Sequence, residues 1–557
     1  MVKGKQISES YVGQSVRAKE LRAPLVGKAK YTNDYTFEGQ LYAYILRSPH
    51  AAAKINSVDL SGAKKISGVH LALCGRDIFE HTNGITDHLN PAIFGGKSTR
   101  LPMMAVDEAW CYGQPVAIVI AEDERTARYA ASRIQVDYTL KEPVVDAEKA
   151  IAKGARSVVP EWDDNVLIYV PFMNGDTQAA FDQADKIVTT DVKIHRFSSQ
   201  PMETRCYNAV WEHDTESITL YGTCQNPHPL RLVLAETLRM NENKIRIIAS
   251  TIGGAFGLKM HGHPEEPLIC LMTKLIRRPV KWVENREECL LIGAREQQHK
   301  VEMAFDSDGN MTGLRDHFLA NIGAPSACPG WGMAFLTGLT MPGPYKVENI
   351  DVHMNAVTTN KPSWNAARGY GKESTAIALE LAMDNAARQF GISPIDLRLR
   401  NFITKDQFPY PSPTGLVYDS GDYGGVLLKA LETIGYEDWK DKQKTALADG
   451  RHIGIGMAFE LTPEGGTIPG TMVAGYDSSS VRVGPDGTVR VLTGITSPGT
   501  HNGTAIAQIV ADELGIDMDR IEVLQGDTNS SPYGFGNYSG RSTIVGGGSA
   551  ALAAKDV

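Results

Sequence analysis

Glycine and proline are spaced so densely along this 557-residue chain, 54 and 28 of them, that few helices of more than a handful of turns can run uninterrupted. Between these breakers, short apolar runs of strand character alternate with short helix-like stretches. That patterning predicts a mixed α/β architecture. One hydrophobic core cannot serve such a length, and at roughly 100–200 residues per domain three or four units are expected. The punctuation places a first unit over residues 1–150, a second over 165–408 and a third over 419–557. A polar, irregular stretch at 153–164 and a Gly/Pro cluster at 409–425 separate them.

Composition narrows the function classes. Hydrophobic residues make up 42% and charged residues 22%, which excludes a disordered chain or a fibre. The net charge of −9 argues against a broad nucleic-acid footprint. Seven cysteines, none paired as CxxC, signal neither a disulfide framework nor a self-contained zinc or iron–sulfur site. The opening MVKGKQISES has no apolar signal-peptide core, and no apolar run is long enough to span a membrane. A cytoplasmic location is the expectation, with export on a partner chain left open.

Local patterns position the chemistry. Strands are expected at 40–46, 116–121, 218–221, 244–252, 480–483 and 489–494, and a helix at 126–136. Asn226 stands as an N-cap before Pro227 and a helix to Leu238, and Pro264 opens another ending near Arg278. The loop Gly253-Gly254-Ala255-Phe256-Gly257 lets backbone approach a ligand beside one aromatic wall, or is a plain tight turn. It carries neither GxGxxG nor GK[ST]. Residues 534–543 offer backbone N–H groups, the hydroxyls of Ser542 and Thr543, and the Arg541 guanidinium, which suit a phosphate cradle or a solvated loop. His261 and His263, followed by Glu265 and Glu266, have the look of an HxH zinc site, but Pro264 makes strand geometry doubtful and cap histidines are the simpler reading. Glu203 reads as a structural, hydrogen-bonded carboxylate ahead of a catalytic one.

Taken in order, these and other segments resemble the molybdenum-binding large subunit of the xanthine oxidase family, in particular its aerobic carbon monoxide dehydrogenase and aldehyde dehydrogenase branch. The likeness rests on Arg47-Ser48-Pro49-His50-Ala51, Gly113-Gln114-Pro115-Val116-Ala117, Gln225-Asn226-Pro227-His228 and residues 252–259. It continues through Pro279-Val280-Lys281-Trp282, Arg286-Glu287-Glu288, Asn365-Ala366-Ala367-Arg368-Gly369-Tyr370-Gly371, Gly526-Asp527-Thr528 and Gly540-Arg541-Ser542-Thr543. It implies an N-terminal a/b hammerhead domain followed by two molybdopterin-binding domains, the second incomplete. It also implies a molybdopterin cofactor in its cytosine dinucleotide form, held by Gln225, Gly254, Ala255, Phe256, Arg368, Gly499, His501, Gly540, Arg541, Ser542 and Thr543. No side chain ligates the metal directly. Phe256 and Tyr370 would wall a substrate pocket, Tyr370 stacking on a ring or merely packing its loop. The family hydroxylates with water-derived oxygen and passes electrons to [2Fe–2S] clusters and FAD. Those groups are expected on a small and a medium partner subunit.

Three departures qualify the resemblance. Gly369 stands where carbon monoxide dehydrogenases carry a copper-binding cysteine, which disfavours carbon monoxide oxidation. Pro498 replaces a glutamine in 497–502, although Gly499 and His501 are kept. The chain reaches Val557 before the segment that holds the family's catalytic glutamate, so the expectation is that either a second polypeptide supplies that residue or the product is truncated. The expected activity is oxidation of an aldehyde or similar electron-poor carbon. An N-heterocycle hydroxylase subunit and a non-catalytic structural subunit are the alternatives.

Overall fold

In the computed structural model, residues 10–87, 89–462 and 476–557 are described. The signal-peptide reading of residues 1–9 lies outside them. Two large sheets and two small ones organise the chain, together with a two-stranded ribbon. The largest sheet has seven strands in the order Ile245–Ile248, Ser217–Gly222, Cys206–Glu212, Val280–Val283, Leu41–Arg47, Pro115–Ala121, Val69–Cys74. Leu41–Arg47 lies parallel to Val280–Val283, with Leu41 opposite Val280, so the strands of the first and second units form one continuous sheet. Pro115–Ala121 is buried throughout, as its unbroken apolar run requires.

The helix expected at 126–136 is shorter: Glu124–Ala131, capped by Asp123, whose carboxylate accepts the Thr126 N–H at 2.8 Å. Residues Gln135–Leu140 are instead a strand paired antiparallel to Ala53–Asp59. Val136 and Tyr138 alternate there with exposed polar residues, a period of two that a helical reading overlooks. The stretch at 153–164 is irregular but packed, with Val158, Val159 and Trp162 buried.

The second large sheet runs Val166–Asn174, Asn349–Thr358, Met311–Gly323, Gln297–Phe305, Lys186–Ile194, and only the joint between Met311–Gly323 and Asn349–Thr358 is parallel. The 19-residue helix Lys372–Phe390 lies against it through Ala378, Ala382, Met383 and Ala386. Tyr423 and Leu427, from the helix Tyr423–Ile434, enter the same core. Residues after 419 therefore still close the second hydrophobic core.

A third core gathers Val489, Val491, Ile506, Val510, Ile521 and Ala550 between a three-stranded sheet and the helices Asn502–Leu514 and Gly547–Lys555. The strand expected at 244–252 stays in its ladder only over Ile245–Ile248. Beyond it, Ala249 donates to Gly526 O (2.7 Å), and Ile247 exchanges bonds with Thr528 (2.9 and 3.0 Å). The third unit thus covers an edge of the first sheet, removing an open row of backbone groups. At the other end, Asp512 accepts the N–H groups of Tyr11 (2.6 Å) and Val12 (2.9 Å), which ties the N-terminal segment to the third unit. All seven cysteines are buried and unbridged. Among the described residues no helix is long and apolar enough to cross a membrane.

Candidate functional site

Gln225 follows the strand Ser217–Gly222, two residues before the helix Pro227–Leu238, and is 3% exposed. Asn226 occupies the N-cap position, but its side chain does not cap: Asn226 Oδ1 accepts the N–H of His261 at 3.2 Å. The turn is thereby fixed to the 257–263 segment. Gln225 itself bonds in four directions. Its N–H donates to Lys259 O (3.0 Å), and its Oε1 accepts the N–H of Gly257 (3.0 Å). Its carbonyl accepts the Asn537 N–H (2.9 Å) and the Thr496 hydroxyl (2.5 Å), while Nε2 donates to Asn537 O (2.8 Å).

One buried amide therefore holds together loops from the second and third units. An amide nitrogen has two hydrogens, and the bond to Asn537 uses one.

The 253–257 loop packs against the 365–371 loop backbone to backbone. A Cβ on Gly257 would stand 2.6 Å from Ala366 O, and Arg368 N–H donates to Phe256 O at 2.9 Å. Gly536 approaches Gln225 equally closely, its absent Cβ falling 2.2 Å from the Gln225 carbonyl oxygen. Only glycine permits these approaches.

Four non-glycine residues with left-handed backbone sit on these loops: Phe256 (φ 55°), Tyr370 (51°), His501 (54°) and Ser539 (57°). Such strain persists where surrounding structure over-determines it, and it concentrates at ligand sites.

Ala255 is buried, whereas its neighbour Phe256 is 46% exposed. Arg368 is exposed, and its carbonyl accepts from Arg295, which pairs with Glu373 at 2.7 Å. Gly254 (φ 88°) and Gly499 (φ 81°) turn their loops, and open space lies where a Gly499 Cβ would project. His501 precedes the helix Asn502–Leu514, whose first turn lies nearby. Thr543 is exposed on a π-helical turn, Ser542–Gly546, of a kind frequent at functional sites.

The open side of Gly499, the second amide hydrogen of Gln225, and the exposed Arg368 and Thr543 side chains suit an anionic ligand rich in hydrogen-bonding groups.

Other expected groups turn inward. Arg541 is 2% exposed, and its guanidinium bonds Asp477 Oδ2 (2.7 Å), Gly536 O (2.8 Å) and Tyr476 O (2.7 Å). It shapes the 534–543 loop and is not presented to a phosphate. Gly540 stands just before it, and the Ser542 hydroxyl accepts from Asn537 Nδ2 (3.1 Å). This loop is anchored, not solvated. The Tyr370 hydroxyl donates to Pro329 O (2.6 Å), which pins the ring against the second core.

Glu203 is structural, accepting from Gly253 N (2.7 Å) and pairing with Lys259 (2.9 Å). His263 is buried, with Nε2 2.8 Å from Leu258 O and 2.7 Å from Asn365 Nδ2, and burial drives its pKa down to about 3. It is a neutral strut under the 365–371 loop. Neither it nor His261 belongs to a three-donor metal cluster among the described residues.

Sequence reasoning overlooked Asn537 and Thr496 as partners of Gln225. Their position in polar loops after strands was the available signal, but their partners lie some 300 residues away in the chain. It also missed a cavity of about 320 Å³ lined by Trp162, Trp331, Trp364 and Asp87 among others. Burial pushes the Asp87 carboxyl up to about 8.

Comparisons with known proteins place the chain in a family. Residues 26–142 match the aldehyde oxidase and xanthine dehydrogenase a/b hammerhead domain, and residues 159–402 and 429–557 each match a molybdopterin cofactor-binding domain. The chain is 32% identical to the nicotine 6-hydroxylase large subunit of Paenarthrobacter nicotinovorans, over 97% of this chain and 67% of that protein. It is also 32% identical to the carbon monoxide dehydrogenase large chain of Afipia carboxidovorans, over 95% and 68%. Quinoline 2-oxidoreductase from Pseudomonas putida 86 superposes with a TM-score of 0.94 at 32% identity, covering 100% of this chain and 71% of that one.

Proposed function

Because the chain belongs to the molybdenum-dependent oxidoreductase family of xanthine dehydrogenase and carbon monoxide dehydrogenase large subunits, we propose that it holds the molybdopterin of a heteromeric dehydrogenase acting on an aromatic N-heterocycle. The observation that carries the reading is the convergence on Gln225 of three loops, around 257–259, Thr496 and Asn537, from two units. A molybdopterin bound there supplies two-electron oxidation of an electron-poor carbon, with oxygen drawn from water.

The chain's own residues bind and orient. Gln225 offers its second amide hydrogen to the cofactor. Gly254, Gly499 and Gly540 leave room for its close approach, and His501, Ser542 and Thr543 border it. Arg368 presents a guanidinium from the loop braced by Phe256 O and Arg295. Arg541 acts at one remove by fixing the 534–543 loop.

Phe256, next to the buried Ala255, excludes water on the substrate side, and Tyr370 forms a fixed wall. Gly369 has no side chain to hold copper, which disfavours carbon monoxide as substrate. Glu203 and Glu373 hold loops, and neither is assigned as catalytic base.

A heterocycle is preferred to the aldehyde expected from sequence because relatives at 32% identity include a nicotine hydroxylase and a quinoline oxidoreductase. The cytosine dinucleotide form, an FAD-binding medium subunit, a [2Fe–2S] small subunit and a cytoplasmic location complete the proposal.

The test is metal and nucleotide analysis of the natively purified complex, followed by turnover of quinoline, pyridine and benzaldehyde with a dye acceptor. Molybdenum with CMP and turnover of a heterocycle is the expected result. Turnover of benzaldehyde alone overturns the substrate class, and absence of molybdenum overturns the catalytic reading.

A further inference from the structure

Away from the cofactor loops, the solvent face of the five-stranded sheet brings together a second set of metal-compatible groups. Asp351 and His353 are two residues apart on Asn349–Thr358, so both project from one face. His317, on the parallel neighbour Met311–Gly323, is in direct register with His353, and their rings stand 4.3 Å apart. One ligand atom from each of the three residues lies within 4.8 Å of the others. His353 Nε2 is 2.7 Å and His317 Nε2 3.7 Å from the Asp351 carboxylate. Ligand atoms around a tetrahedral Zn²⁺ stand about 3.4 Å apart, a separation that small side-chain rotations reach from here.

The surroundings match what a metal site requires of its supporting groups. His353 Nδ1 is hydrogen-bonded to the Tyr169 hydroxyl, which can accept as well as donate, so the ring keeps its orientation when Nε2 binds a metal. Asp351 Oδ2 accepts from Arg315 Nε at 3.0 Å, and Arg315 is also paired with Glu302 at 3.6 Å. The carboxylate is thus anchored on one side, while its other oxygen, 2.7 Å from His353 Nε2, would exchange that bond for a shared ion. Arg315 partly offsets the carboxylate's charge, so a cation is held chiefly by the two imidazoles. That favours a borderline ion over Ca²⁺ or Mg²⁺. The His317 side chain is 52% exposed, which leaves the fourth position open to water.

We propose that His317, Asp351 and His353 form a divalent transition-metal site for Zn²⁺ on this sheet face, separate from the molybdopterin site. Its parts lie on two rigid, paired strands. Binding therefore stabilises the folded chain by mass action without rearranging it.

The test is titration of the full-length chain, first stripped with a chelator, with Zn²⁺ followed by calorimetry and with Co²⁺ followed by its visible absorption. Wild type is expected to take up one equivalent of either ion, to show a tetrahedral Co²⁺ spectrum and to melt at higher temperature with Zn²⁺. His317→Ala, a surface change, is expected to lose that equivalent while keeping the metal-free melting temperature, and His353→Ala, which also breaks the bonds to Tyr169 and Asp351, to lose it as well. Tyr169→Phe should weaken binding about tenfold by removing the support behind His353. Absence of uptake by wild type, or unchanged uptake by the double variant His317→Ala/His353→Ala, overturns the site.

Discussion

At the scale of single residues, the candidate site depends on a few positions whose conformations are held from outside. Gln225 ties together three segments through its side-chain amide and its backbone N–H and C=O, and it is itself buried. Truncating it leaves buried partners in the Gly257 and Asn537 segments unsatisfied. Gln225→Ala is accordingly expected to reduce molybdenum content and turnover by about 10–100-fold while the rest of the chain stays folded. Metal analysis beside circular dichroism checks both halves of that expectation. Gly369 is constrained differently. At φ 101°, and with Glu373 Oε2 2.2 Å from where its Cβ would be, the position strains any side chain and would require Glu373 to move.

At the scale of elements, the helix Glu265–Ile276 opens with two buried carboxylates in opposite states. The Arg205 and Arg47 guanidinium groups hold Glu265 well below the usual carboxylate range against its burial. Burial pushes Glu266 up to about 8, although it accepts from Gly262 N (2.9 Å), His263 N (3.1 Å) and the Tyr207 hydroxyl (3.1 Å).

Folded Glu266 keeps its proton to about pH 8, whereas the unfolded chain releases it near 4.5. Stability from this group is therefore full below pH 4.5 and lost as pH rises through 8. His263 runs the other way, because below pH 6.5 the unfolded chain takes up a proton that the buried ring refuses until about 3. Above pH 6.5 only Glu266 of this pair contributes. Glu266→Gln is expected to flatten the decline in denaturant-measured stability between pH 6.5 and 8. An unchanged slope would assign that decline to other groups.

At the scale of the whole molecule, the first and second units are joined by more than their common sheet. Arg47, from the first unit, pairs with Glu265 (2.8 Å) and Glu288 (2.6 Å). Arg205 pairs with the same Glu265 (2.8 Å) and with Glu284 (2.6 Å). Arg205, Glu265 and Glu284 are almost wholly buried. Removing one member of such a set strands the others without water or counter-charge, at a cost of about 3–5 kcal/mol. Arg205→Ala is expected to lower the melting temperature by several degrees and to reduce soluble yield. Retained stability would show that the network contributes little beyond the sheet.

The alternation of short strands and helices, the strand at 116–121 and the Asn226-Pro227 helix start were legible because they are local. Breaker spacing, side-chain period and cap chemistry act over a few residues, and they predict elements without knowing the fold. The loops that form the candidate site were legible as glycine-rich and polar, and by family resemblance as cofactor loops. What each side chain does in them was not. The guanidinium of Arg541 turned inward to Asp477, the Gly526–Thr528 segment became the cover of a sheet edge, and residues 135–140 left a helical reading to pair with Ala53–Asp59. Each outcome was decided by a partner far away in the chain. Burial obliges polar groups to find such partners, and only the tertiary structure determines which ones lie within reach.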